Sequence, residues 1–172
     1  MNFLKLHINN IVNQDFLLKY QKRNVNFLPK IQKVVLSAQF GLNHKASIVC
    51  LFEILSFHKP IVCQSKSNVL SLNLRKGEPV GIKLILRKQP MYDFLIYFLF
   101  EILPTSKKFE IFKNTSKSLH WQIKDVLTLN EISSLYIYIS DLNSLDIVID
   151  GENLNSNFFQ AIRFPTFTNY QT

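Results

Sequence analysis

A chain of 172 residues has single-domain length, and 47% hydrophobic content is enough for a real core, which excludes global disorder. A net charge of +8 attracts polyanions: nucleic acid, an acidic protein or anionic lipid. The longest apolar run, Phe94–Phe100, is far short of the ~20 residues a membrane helix needs, so no membrane partner is expected.

In chain order, residues 8–22 place Ile8, Ile11, Val12, Phe16 and Leu18 among polar neighbours and predict a short helix. Lys19, Lys22 and Arg23 follow at its C-terminal end, where the helix dipole favours cations. Pro29 separates this piece from the rest, which predicts an N-terminal helical extension over 1–28 and a single domain over 29–172. Ile31–Phe40 alternates, with Val34, Leu36, Ala38 and Phe40 on one face and Lys33, Val35, Ser37 and Gln39 on the other. Gly41 ends that strand. Asn43 then caps a predicted helix through Phe57, in which Ile48, Leu51, Phe52 and Leu55 share a face and which Pro60 stops.

Val69–Arg75 alternates again, with Leu70, Leu72 and Leu74 inward and Ser71, Asn73 and Arg75 outward. Lys76-Gly77-Glu78-Pro79 reads as a turn, and Val80–Arg87 returns with Lys83 and Arg87 outward, which predicts a hairpin. Pro90 suits the first turn of a helix whose apolar stripe is Met91, Phe94, Leu95, Phe98, Leu99 and Ile102, and which Pro104 closes. Thr105–Ser118, with Lys107, Lys108, Lys113 and Lys117, reads as a long, basic, mobile loop. Leu119–Asp125, Leu135–Ile139 and Asp146–Asp150 are further predicted strands, and Phe158–Arg163 a last helical turn. The pattern is α+β: an antiparallel-dominated sheet with helices on one face, split-βαβ-like, and a long basic loop after the central helix.

If the three earlier strands share a sheet, Lys33, Ser37 and Gln39, then Ser71, Asn73 and Arg75, then Lys83 and Arg87 make one polar, basic face. Acids are nearly absent from these strands, whereas an ordinary solvated face mixes signs. Lys and Arg neutralise phosphates, while Ser, Asn and Gln bond 2′-hydroxyls and base edges. RNA and DNA are not separated by these residue types. An acidic protein partner for the same face is the competing reading, which would make the chain a basic protein-interaction module rather than an RNA-binding one.

Catalytic signals are thin. His7, His44, His58 and His120 share no metal-ligand spacing, and four glycines leave no phosphate-cradling loop. Neither enzyme activity, cofactor nor metal is expected. Asp146 and Asp150 read as a charged strand edge. Cys50 and Cys63 are too few for a disulfide framework and are expected as small, buried or half-buried hydrophobes in a reducing compartment. Met1–Asn10 has no apolar run and is not an Arg- and Ser-rich leader, so neither a secretory nor an import signal is expected. Abundant Phe, Ile, Asn and Lys fit an AT-rich genome such as an organelle's, where a protein made inside needs no leader.

These residues closely resemble the bacterial-type large-subunit ribosomal protein five family. The resemblance runs through Pro29-Lys30-Ile31, His58-Lys59-Pro60, Lys66-Ser67, Leu74-Arg75-Lys76-Gly77-Glu78-Pro79-Val80-Gly81, Lys83-Leu84-Ile85-Leu86-Arg87 and Met91-Tyr92-Asp93-Phe94. Further on, Ile123-Lys124-Asp125, Glu131-Ile132, Leu145 to Ile149 and Phe164-Pro165 match in order. The chain departs from the family at Ser37, His58 and Ile85, where Asn, Gln and Thr are usual, and its loop after the long helix lacks glycine. The resemblance implies a non-enzymatic constituent of the large ribosomal subunit in the mitochondrial matrix, placed in the central protuberance. It implies rRNA binding, 5S rRNA included, by Lys33, Ser37, Gln39, His58, Lys59, Lys66, Ser67, Asn73, Arg75, Lys83 and Arg87. It further implies that Lys107, Lys108, Lys113 and Lys117 approach peptidyl-site tRNA, beside neighbouring ribosomal proteins that include one of the small-subunit head.

Overall fold

A computed structural model describes residues 2–19, 25–40, 45–69, 74–105, 109–114, 117–124 and 144–164. Six antiparallel strands form one sheet: β1 (Lys30–Gln39), β2 (Ile61–Gln64), β3 (Pro79–Leu86), β4 (Phe109–Asn114), β5 (Ser118–Ile123) and β6 (Leu145–Glu152), in the order β2-β3-β1-β6-β5-β4. Helices cover one face. They are α1 (Phe3–His7) and α2 (Asn13–Lys19), joined by a wide turn at Ile8–Val12, then α3 (Lys45–Ser56), α4 (Lys88–Tyr97), the short α5 (Leu103–Thr105) and α6 (Ser156–Ala161). The expected α+β architecture is therefore present.

The covered face follows from period-two patterning. Val34, Leu36 and Ala38 of β1, Ile82, Leu84 and Leu86 of β3, Leu119, Trp121 and Ile123 of β5, and Leu145, Ile147 and Ile149 of β6 are all buried in one core. A bulge between Ile31 and Lys33 puts one extra residue into β1, so Ile31 and Val34 both point inward although three apart. Against this face α3 presents Ile48, Leu51, Phe52 and Leu55, and α4 with its continuation presents Met91, Phe94, Leu95, Phe98 and Ile102. Trp121 stacks on Phe164 with centroids 5.0 Å apart and meets Phe98 at a tilt with centroids 5.2 Å apart. Such pairs add about 0.5–1.5 kcal/mol each beyond their burial.

The N-terminal helix begins earlier than the spacing predicts and joins the same core through Leu4, Ile8, Val12 and Phe16. A repeat of four residues drifts by about 40° per step on a 3.6-residue turn. The wider turn at Ile8–Val12 takes up part of that drift, and the same device recurs at Phe98–Ile102 of the central helix. Asn2 caps α1 by accepting from the Leu4 and Lys5 N–H groups and donates its own amide to Asp93 of α4. Phe16 meets Phe158 of α6 edge to face at 6.2 Å.

Several expectations are corrected. The hairpin partner of β3 is β2, not a strand over Val69–Arg75; Val69 and Leu74 form an isolated antiparallel bridge with each other. β2 escaped notice because all four of its residues are exposed, so no alternation marks it. The segment expected as one long loop after the central helix contains β4, which pairs antiparallel with β5; Phe-Glu-Ile-Phe is a strand-favouring run inside the lysines. Pro104 lies within the last helical turn rather than after it. Cys50 and Cys63 are exposed and free: Cys50 falls off the buried stripe of α3, and Cys63 sits on edge strand β2. Asp146 and Asp150 belong to β6, an interior strand between β1 and β5, not to an edge. The predicted strand Leu135–Ile139, the Asn43 cap and Gly41 lie outside the described residues.

Candidate nucleic-acid interface

No helix described here covers the sheet's other face, and strand register decides which charges meet on it. Lys83 of β3 lies between Ile61 of β2 and Ser37 of β1, and is exposed. Gln39 lies beside Gly81, where an added Cβ would sit 2.7 Å from the Ala38 carbonyl. None of the residues of β1, β2 or β3 is acidic. This half of the face can therefore take phosphate at Lys83 and hydrogen-bonding groups of a ribose or base at Ser37 and Gln39.

Across β1 the character changes. β6 sets Asp146 opposite Ser37 and Asp150 opposite Lys33, and β5 sets Gln122 and Ser118 beyond them. Lys33 Nζ lies 3.2 Å from Asp150 Oδ2, and Gln122 donates to Asp146 Oδ1 at 2.9 Å. The expectation of a face nearly free of acids holds for β1 and β3, two of the three strands on which it was based, and β2 stands where the third was expected. It fails for the sheet, because β6 brings two carboxylates from far along the chain. Between these polar rows Ile85, Val35 and Val148 stand in register, an apolar stripe that includes one family departure, Ile85.

Beside the cationic half, residues 65–69 and 74–78, the described parts of the pinned loop between β2 and β3, lie together. The Ser65 N–H donates to the Glu78 carbonyl at 2.8 Å and the Gly77 N–H to the Ser65 carbonyl at 3.0 Å, closing its base. Arg75-Lys76-Gly77-Glu78 is a tight turn in which the Glu78 N–H donates to the Arg75 carbonyl, and Gly77 takes φ +89°, the conformation a type II turn requires there. The Glu78 carboxylate accepts from the Arg75 N–H at 2.8 Å, and the Asn68 side chain accepts from the Lys76 N–H at 2.7 Å. The loop's one carboxylate thus braces the backbone, while Lys66, Ser67, Arg75 and Lys76 stay exposed.

The remaining predicted residues fall apart from this centre or outside the described residues. Arg87 is exposed just beyond β3. His58 and Lys59 sit in the turn between α3 and β2, with His58 held by its own Nδ1 at 2.7 Å from the Ser56 carbonyl oxygen. Asn73, Lys107 and Lys108 lie outside the described residues. Lys113 and Lys117 flank the tip of the β4–β5 hairpin. Sequence reasoning missed β2, Lys76 and the Asp146–Gln122 pair; a count of short β-branched runs finds the first, but only strand order finds the last. Away from this face, burial pushes the Tyr92 phenol of α4 above its ordinary value. Among the described residues no group of three His, Cys, Asp or Glu side chains is placed to hold a metal ion.

No protein-family profile matches the chain. The large ribosomal subunit protein uL5m of Reclinomonas americana is 31% identical to it over 160 residues, which cover 87% of this chain and 87% of that protein.

Proposed function

The chain belongs to the family of the large ribosomal subunit protein uL5m, a non-enzymatic constituent of the mitochondrial large subunit with ribosomal RNA and ribosomal proteins as partners, and we propose that it grips rRNA of the central protuberance through one half of its open sheet face. Lys83, Ser37 and Gln39 form the centre of the grip. Lys66, Ser67, Arg75 and Lys76 of the pinned loop extend it, and Arg87 and Lys59 border it. The observation that carries this reading is the acid-free run of β2, β3 and β1 beside a loop whose carboxylate is already engaged. Cations without internal partners offer most of their charge to phosphate.

5S rRNA is the RNA this surface takes where the ribosome contains one. Ser37 keeps a hydroxyl donor and acceptor at the position where the family carries an amide. The β4–β5 hairpin, with Lys113 and Lys117 about its tip, reaches towards peptidyl-site tRNA and the small-subunit head. His58 and Lys59 contact RNA at the margin rather than the centre, being placed in the α3–β2 turn.

The test is Arg75→Glu with Lys83→Glu. Both side chains are exposed and neither forms an ion pair among the described residues, so the double variant should keep its melting temperature. It should fail to sediment with the large subunit. Normal incorporation of the folded variant would overturn the proposed face.

A further inference from the structure

We infer that the groove between α3 and α4, on the side of the molecule away from the open sheet face, receives a basic, apolar-anchored segment of a neighbouring protein. The inference rests on the chain's membership of a ribosomal subunit, since it takes the surroundings to be rRNA and ribosomal proteins. The groove holds about 430 Å³ and is lined by Ile54, Phe57, Pro90, Asp93, Tyr97 and Glu101, among others. Apolar atoms make up most of its wall, yet the charged groups in it are two carboxylates, in a chain whose net charge is +8.

Asp93 and Glu101 lie eight residues apart on one continuous helical stretch, about two turns, so they stand along the same side of the groove. Asp93 accepts neutral amide hydrogens from Asn2 and Gln89, and Glu101 has no side-chain partner among the described residues. Among the described residues neither carboxylate forms an ion pair. His58, at the groove's end, engages the Ser56 carbonyl oxygen through Nδ1. Two carboxylates with no ion pair among the described residues repel a phosphate backbone, which disfavours RNA as occupant, and attract Lys or Arg.

The apolar part excludes plain solvation as a sufficient account. Phe57 is 90% exposed and Ile54 38% exposed, both at the groove's wall. Phe57 follows the last residue of α3 with φ +55°, a left-handed position that glycine usually fills at a helix end. An aromatic ring there is presented outward by the backbone itself. A large exposed ring and an aliphatic neighbour beside two acids match the anchor-plus-cation chemistry of a protein segment. Because α3 and α4 lie on the covered side of the sheet, occupancy of the groove leaves Lys83, Ser37 and Gln39 free, and His58 at the RNA margin also borders the groove.

The test places a photo-crosslinking amino acid at position 54 in the full chain and purifies assembled large subunits before irradiation. The expected product is one ribosomal-protein peptide that carries Lys or Arg next to an aliphatic or aromatic residue. Glu101→Lys, which removes no side-chain hydrogen bond or ion pair among the described residues, should reduce that product about tenfold or more while sedimentation with the subunit is unchanged. Crosslinks to rRNA, crosslinks insensitive to Glu101→Lys, or no crosslink in assembled subunits would each overturn the groove assignment and leave the RNA face standing. Failure of the unsubstituted chain to sediment with the subunit would overturn the ribosomal placement itself, and this inference with it.

Discussion

The two halves of the open sheet face share one backbone geometry and carry opposite electrostatics. On the β2–β3–β1 side Lys83 stands between Ile61 and Ser37 with no acid in any of the three strands. On the β6–β5 side Asp146 and Asp150 stand in the same rows, one bonded by Gln122 and the other paired with Lys33. The boundary runs along β1, whose residues face cations on one flank and carboxylates on the other. Local composition sets the charge of a strand, but strand order sets the field of a face, and a strand inserted from more than a hundred residues downstream can reverse it.

Five substitutions break or sharpen that contrast. The largest effect belongs to the reverse side of the acidic half: Trp121→Ala removes a buried ring packed against Phe98 and Phe164, and should cost about 3–5 kcal/mol in denaturant unfolding. The folded fraction should still bind rRNA with unaltered affinity, because Trp121 points away from the RNA face. Next, Lys83→Glu should weaken binding to an rRNA fragment by about tenfold or more at physiological salt, whereas Asp146→Asn should leave it unchanged or slightly tighter. Equal losses from both would erase the distinction between the halves.

A smaller effect is expected at the boundary. Asp150→Asn removes the partner of Lys33, an ion pair about a third exposed on each side, so stability should shift by no more than about 1 kcal/mol. The freed lysine should steepen the salt dependence of RNA binding by about one phosphate contact. The smallest effect is a control on the helix side. The Tyr92 phenol is raised by burial, so its neutral form is favoured in the fold. Its contribution to stability is fully present below the unfolded phenol value of about 10 and is lost as pH rises through the folded value. Unfolding of Tyr92→Phe should show less of this alkaline decline, with RNA affinity at neutral pH unchanged.

Much of the fold was legible because burial imposes period. β1, β3, β5 and the stripes of α3 and α4 follow alternation or helical spacing, and Lys33, Ser37 and Lys83 take the open face that alternation assigns. What was not legible has physical reasons. β2 is exposed on both sides and carries no period, so Ile61–Gln64 gave no alternation signal and Val69–Arg75 took its place as the expected partner of β3. β4 hides in a lysine-rich segment whose composition resembles a loop. Asp146 and Asp150 were visible as residues, but their place beside Ser37 and Lys33 depends on long-range pairing that no local pattern encodes.

The most direct measurement is ultraviolet crosslinking of the native protein to RNA in assembled subunits, with both the RNA sites and the crosslinked peptides identified. Crosslinks to rRNA at the peptides that contain Lys66, Arg75 and Lys83, with none at the β6 peptide around Asp146 and Asp150, are the predicted result. RNA crosslinked chiefly to β6, or no rRNA crosslinked to the β2–β3 region, would contradict it.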